Sequence, residues 1–161
     1  MIIELVSGSP EDTFEIARLL GEILQAGDVI ALTGDLGAGK TCFSKGIGAA
    51  LGISPDRVAS PTFIISTRHE GGAVPLIHVD VYRLESAREA VDIGLDETFY
   101  DEKGVCVVEW AEKVEDLLPT DSIRVTFEIT GENTRKIVFS GPEQDRLALF
   151  REQTAGFRPR G

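Results

Sequence analysis

Gly34-Asp35-Leu36-Gly37-Ala38-Gly39-Lys40-Thr41 sets glycines, a lysine and a hydroxyl at the spacing G-x-x-x-x-G-K-[ST], which suits the holding of a phosphate chain. The glycines let the backbone N–H groups of Asp35, Leu36, Gly37, Ala38 and Gly39 turn inward around an anion, because a Cβ would block the phosphate or the backbone angles it needs. Lys40 brings a mobile positive charge to the β- and γ-phosphates, and the Thr41 hydroxyl is placed to ligate Mg²⁺. A bound nucleotide is expected here. No base-recognition motif like that of GTPases appears, so ATP and ADP are the expected ligands, with Mg²⁺.

Turnover needs an acid near that metal. Two apolar runs end in carboxylates, Val74-Pro75-Leu76-Ile77-His78-Val79-Asp80 and Gly104-Val105-Cys106-Val107-Val108-Glu109. In open α/β sheets ligands sit beyond the carboxyl ends of the strands, so Asp80 and Glu109 are both candidate neighbours of Lys40 and Thr41. Glu109 ends the more uniformly apolar run and is assigned to Mg²⁺, directly or through water; Asp80 is assigned to the attacking water or the metal's outer shell. The sequence leaves the reverse assignment open. Ser60-Pro61-Thr62 follows the phosphate-loop helix and invites a switch whose Thr62 hydroxyl reports the γ-phosphate or its Mg²⁺. A turn hydroxyl bonded to its own backbone is the plainer alternative. His78 and Arg83 flank Asp80 and are candidates for phosphate or partner contact, His78 also for simple strand packing. His69, near a hairpin turn, is expected at the surface.

These residues need a scaffold. Asp28-Val29-Ile30-Ala31-Leu32-Thr33 before the loop reads as a buried strand, and Cys42 to Leu51 after it as a helix stopped near Gly52. Upstream, Ile2-Ile3-Glu4-Leu5-Val6 reads as a strand and Ser9-Pro10-Glu11-Asp12 as a capped helix start. Phe14, Ala17, Leu20, Ile23 and Leu24 recur at helical spacing behind it. Phe63 to His69 and Val74 to Asp80 form an expected hairpin about Gly71 and Gly72, with Pro75 pointing to a strand start or edge. A short helix is expected over 86–93, a mixed segment over 95–103 and a short helix over 110–117. Residues 122–130 and 135–140 read as a second hairpin, and 142–153 as a closing helix. The expected fold class is α/β, a three-layer sandwich like that of P-loop NTPases, with a mainly parallel central sheet and antiparallel hairpin additions. One domain is expected over 1–155, with a flexible C-terminal tail over 156–161.

The 161 residues, 42% hydrophobic and 27% charged, suit one globular domain. The formal net charge of -11 works against a broad face for nucleic acid, which needs Lys and Arg to displace counterions. No DNA is expected as a partner, and any RNA is expected to be held by a partner protein. No apolar stretch reaches the length of a membrane span, and Met1-Ile2-Ile3-Glu4 lacks the basic start of a signal peptide; a cytoplasmic, membrane-free protein is the expectation. Cys42 and Cys106 have no metal-ligand spacing and suit packing. For Cys42, in the first turn of the phosphate-loop helix, a depressed thiol pKa is the sharper alternative.

In order along the chain, the phosphate loop, Ser60-Pro61-Thr62-Phe63, His78-Val79-Asp80-Val81-Tyr82-Arg83-Leu84 and Val108-Glu109-Trp110 closely resemble the TsaE (formerly YjeE) family, small bacterial ATPases of tRNA threonylcarbamoyladenosine synthesis. The loop is generic; the other three motifs together are specific. The resemblance implies a role in modifying the adenosine beside the anticodon, in which the ATPase binds a TsaD–TsaB pair, supports its repeated turnover and meets tRNA only through that complex. It implies phosphate and Mg²⁺ binding by Lys40 and Thr41, functionally required acids at Asp80 and Glu109, a switch-like loop at Thr62, and outer nucleotide contacts from Glu11 and Arg135. Trp110 is implied to pack beside the site or face a partner. Ala111 stands where proline is common in the family, a change in backbone rigidity rather than in chemistry.

Weak hydrolysis by the isolated chain is expected, because fast phosphoryl transfer needs an added positive charge and no arginine stands beside the loop; Arg83 is the nearest candidate. A partner would complete the site by supplying a charge or by ordering the Thr62 loop. Two other readings stay open on the residues alone: a small-molecule kinase, against which the scattered Arg68, Arg83, Arg88 and Arg124 form no lid, and a regulatory module that binds nucleotide without useful hydrolysis.

Overall fold

The computed structural model describes residues 1–59 and 65–160. Its seven strands are β1 (Ile2–Ser7), β2 (Val29–Thr33), β3 (Ser66–His69), β4 (Leu76–Asp80), β5 (Val105–Glu109), β6 (Ile123–Ile129) and β7 (Arg135–Ser140). They form one sheet in the order β1-β7-β6-β2-β5-β4-β3. The four central strands, β6-β2-β5-β4, run parallel, and the pairs β1–β7, β6–β7 and β3–β4 are antiparallel. The α/β architecture with a parallel core and hairpin additions is therefore present. Pro75 falls immediately before β4, where a missing N–H breaks no ladder.

The helices are α1 (Pro10–Ile23), α2 (Lys40–Ala50), α3 (Ala87–Asp92), α4 (Leu95–Thr98) and α5 (Asp145–Thr154). The segment over 95–103 thus holds a single helical turn. Residues Ala111–Leu117 form a 3₁₀ helix, kinked at Val114. β2, β4 and β5 are buried along almost their whole length because both faces are covered. Ile30 and Leu32 of β2 and Val105 and Val107 of β5 pack with Ile16, Leu20, Phe43, Ile47 and Phe150 from α1, α2 and α5. Val29, Ala31, Cys106 and Val108 pack on the other side with Ala90, Leu95, Phe99 and Val114. Those are the three layers.

Strand parity carries this division to the polar residues. Successive side chains alternate faces, so Glu109 continues the face of Val105 and Val107, and His78 and Asp80 continue that of Leu76, which belongs to the same cluster as Phe43 and Ile47. All three polar residues therefore face α2. The parallel register sets Asp80 beside Glu109 at the carboxyl ends of neighbouring strands.

α1 and α2 approach closely at Gly46, where an added Cβ would lie 2.5 Å from the Phe14 carbonyl oxygen and 2.6 Å from the Ala17 Cβ. Gly46→Ala is expected to destabilise the fold by about 1–3 kcal/mol through overpacking. Denaturant unfolding would read this, and a change below about 0.5 kcal/mol would mean the helices are not so close.

One expectation about a single residue is corrected. His69 is buried, 7% exposed, because it shares the inward face of its register partner Leu76, while Ser66 and Arg68 on the other face of the same strand are exposed. The residues of the 156–160 segment are held in part: Phe157 packs against the larger core cluster, and the Arg160 N–H donates to Asp12 Oδ2 at 2.8 Å. Among the described residues, no helix is long and apolar enough to cross a membrane.

Candidate functional site

The phosphate loop leaves β2 and enters α2 through two glycines in the left-handed region, Gly37 at φ +80 and Gly39 at φ +107. An L-residue is strained there. Gly37 has nothing within 4 Å of where a Cβ would stand, so its turn opens onto space. Gly39 is the N-cap of α2 and provides no side-chain cap. The first-turn N–H groups of α2 therefore have no capping side chain, and the positive end of the helix dipole faces the loop.

Lys40 is 5% exposed. Its Nζ donates to the Gly34 oxygen at 2.5 Å and the Asp35 oxygen at 2.9 Å and lies 3.9 Å from the centre of the Trp110 ring. Burial pushes the Lys40 pKa below its usual value, against the charges of Glu109, Glu112, Asp80 and Asp35, which raise it. The ammonium is thus held by loop carbonyls and an aromatic face, in a place where added negative charge would be favourable.

Thr41 Oγ1 donates to Glu109 Oε1 at 2.9 Å. Glu109, 2% exposed, is met on Oε2 by His78 Nε2 and by Ser44 Oγ at 3.2 Å, whose single proton is shared with the Lys40 carbonyl oxygen at 3.1 Å. Asp80, 7% exposed, accepts from the Tyr82 N–H through Oδ1 at 2.9 Å, and its charge is felt at Lys40. A cleft of about 240 Å³ lies between Gly37, Gly39, Lys40 and Thr41 on one side and Glu109 and Trp110 on the other. A smaller one of about 130 Å³ continues past Gly39 to Ser9, Thr13, Asn133 and Arg135.

The loop, Lys40, Thr41, Asp80 and Glu109 are thus brought together. Arg135 also reaches the loop, which corrects the expectation that no arginine stands beside it: its Nε donates to the Ala38 oxygen and its Nη2 to the Gly37 oxygen, each at 3.2 Å, a contact set by β7, far along the chain. Glu11 stays exposed on the first turn of α1. It does not line either cleft, although its neighbour Pro10 lines the smaller one. Leu36 is 74% exposed at the loop tip. Arg83 lies in the exposed turn after β4. Thr62, with the rest of residues 60–63, lies outside the described residues. The depressed thiol considered for Cys42 is corrected: burial pushes its pKa up, outweighing Lys45. Cys106 is pushed up to about 12 by burial. Neither thiol is primed for chemistry.

Two contributors were not legible as site residues, and a third, Trp110, was implied only as packing beside the site or facing a partner. Ser44 stands one helical turn beyond Lys40, and its i+3 spacing from Thr41 was the available signal. His78 was weighed as a phosphate or partner contact or a packing residue, whereas it binds Glu109. Trp110 stacks on Lys40 because its backbone is left-handed, φ 61, the one non-glycine residue so placed among those described; tryptophan has no preference for that conformation. Tyr82 packs against Trp110 with ring centres 4.9 Å apart, and Lys113 Nζ donates to the Tyr82 and Leu84 carbonyls.

The residues fit Mg²⁺ and a nucleotide by their chemistry. Mg²⁺ takes oxygen ligands, commonly one or two from protein with the rest from phosphate and water. Thr41 Oγ1 and Glu109 Oε1 form such a minimal pair beside an uncapped helix start. No group of three or more His, Cys, Asp or Glu side chains among the described residues makes a denser cage.

Comparison with known proteins places the chain in a family. Residues 7–137 match the family model described as threonylcarbamoyl adenosine biosynthesis protein TsaE. The chain is 46% identical over 132 residues to the tRNA threonylcarbamoyladenosine biosynthesis protein TsaE of Bacillus subtilis, covering 82% of this chain and 81% of that protein. It is 40% identical over 132 residues to the protein of the same description from Treponema pallidum, covering 82% and 96%. The crystal structure of Bacillus subtilis YdiB superposes with a TM-score of 0.76 at 35% identity, over 96% of this chain and 95% of that one.

Proposed function

The chain belongs to the TsaE family of threonylcarbamoyl adenosine biosynthesis proteins, and we propose that it is the Mg²⁺-dependent ATPase of that tRNA modification, acting in the cytoplasm. The observation that carries this reading is the hydrogen bond from Thr41 to Glu109, which joins the hydroxyl of the phosphate loop to an acid 68 residues away. A glycine turn that bound nothing would have no need of that pairing.

In this reading the loop N–H groups and the start of α2 bind the phosphates of ATP or ADP. Lys40 leaves the Gly34 and Asp35 carbonyls and the Trp110 face to meet the β- and γ-phosphates. Thr41 and Glu109 hold Mg²⁺, which supplies neutralising charge to the phosphate oxygens. Asp80, one strand over from Glu109, orients the attacking water. Arg135, already across the loop from Lys40, steadies the outer part of the nucleotide, with Glu11 at its rim and Thr62 reporting the γ-phosphate.

The partner is a TsaD–TsaB heterodimer, with tRNA met only through it. The net charge of -11 supports that indirectness, since direct RNA binding draws on excess cationic charge. The partner completes a slow site by adding a positive charge or ordering the loop at Thr62. MgATP hydrolysis by the pure chain, then with TsaD–TsaB, tests this. At least a tenfold stimulation is expected, since an added cation at the transition state is worth about 10³–10⁵ in full. Equal rates with and without the pair would overturn the coupling.

A further inference from the structure

His78 sits midway along β4, 1% exposed, in the layer that faces α2. Its Nε2 meets Glu109 Oε2, while its Nδ1 has no hydrogen-bond partner among the described residues. An ionised carboxylate only accepts, so Nε2 carries the proton. The neutral ring then leaves only a lone pair unpaired at Nδ1. An imidazolium would instead bury an N–H with no acceptor, the costlier orphan.

The two oxygens of Glu109 are thereby divided. Oε2 is occupied from inside by His78 and Ser44, both nearly inaccessible to water. Oε1 has only the Thr41 hydroxyl and faces the loop. Without the inner donors, a side chain with three rotatable bonds would turn either oxygen toward the loop. Mg²⁺ demands near-ideal ligand directions, so aim matters more here than at a tolerant site. A neutral donor aims the carboxylate without cancelling its charge; a lysine in the same place would compete with the metal.

We propose that His78 is a positioning residue that holds Glu109 Oε2 through Nε2–H and so aims Oε1, beside Thr41, at Mg²⁺. This rests on the reading of Thr41 and Glu109 as the Mg²⁺ pair. Partners of this kind behind a ligand contribute about 10- to 100-fold in metal affinity.

The test is a titration of Mg²⁺ into the whole chain saturated with ADP, read by the fluorescence of Trp110, the single tryptophan, whose ring lies over Lys40. His78→Leu is expected to raise the Mg²⁺ concentration at half-saturation by about 10-fold or more while binding Mg²⁺-free ADP as the parent does. His78→Gln, whose amide N–H reaches the place of Nε2, is expected to restore the midpoint to within about threefold of the parent, on the same scale. An unchanged midpoint in His78→Leu overturns the inference. So does a His78→Gln protein as impaired as His78→Leu, or a His78→Leu protein that has also lost Mg²⁺-free ADP binding, since each marks His78 as packing alone. A parent that binds ADP with no response to Mg²⁺ would overturn the metal site itself and this inference with it, an outcome distinct from the other three.

Discussion

Glu109→Gln is expected to lower Mg²⁺-dependent ATP hydrolysis by about 10²–10³-fold while leaving the fold intact. A loss of that size corresponds to about 2.7–4 kcal/mol at the transition state. Two effects combine. The substitution removes the negative charge that draws the metal to Thr41. It also leaves one acceptor oxygen where Thr41, Ser44 and His78 now donate to two, so at least one donor faces an NH₂ group. Stability moves far less, because a neutral amide of the same shape escapes the desolvation cost of a carboxylate that is 2% exposed. Steady-state hydrolysis beside a thermal melt separates the two. Activity within threefold of the parent would remove Glu109 from the metal, and a matching collapse in Asp80→Asn would hand the role to Asp80, its neighbour in register.

The second large effect concerns Lys40. Lys40→Ala is expected to weaken MgADP binding about 100-fold, the scale of losing one or two hydrogen bonds from a charged donor to phosphate. Its stability is expected to change little. The ammonium is already penalised by burial, and the carbonyls it leaves belong to half-buried Gly34 and exposed Asp35, where water replaces it. Calorimetric titration with MgADP would measure the change. Affinity within about threefold of the parent would mean that the Lys40 contacts to the loop are structural only and that the helix start alone holds the phosphates.

Much of this protein is legible in its sequence because the relevant physics is local. The turn from β2 into α2 needs glycine at positions 37 and 39 for backbone reasons, and Lys40 and Thr41 follow within the same helical turn. The uniformly apolar runs at Val29–Thr33 and Val105–Glu109 report strands covered on both faces, and they identify the parallel centre of the sheet. Family membership follows from those motifs in order and is established by the similarity of the whole chain. Helix ends were less legible: 142–153 was expected where α5 is Asp145–Thr154.

Tertiary structure decided what lies across from what. That Asp80 stands beside Glu109, and that His78 and Ser44 converge on one carboxylate oxygen, depends on strand order and register between segments 29 or more residues apart. No local propensity encodes either. His69 looked exposed because a residue beside a turn is exposed in isolation; its register opposite Leu76 puts it on the inward face of the sheet. Cys42 looked activated because a helix start favours a thiolate, yet burial raises its pKa instead. Trp110 is the clearest case. Its left-handed backbone runs against its own preference, so nothing in its identity announced the contact with Lys40. The sequence by itself determined a phosphate-binding turn and the acids available to serve it; the sheet decided which acid the turn would meet, because only long-range pairing sets distances between groups that are far apart along the chain.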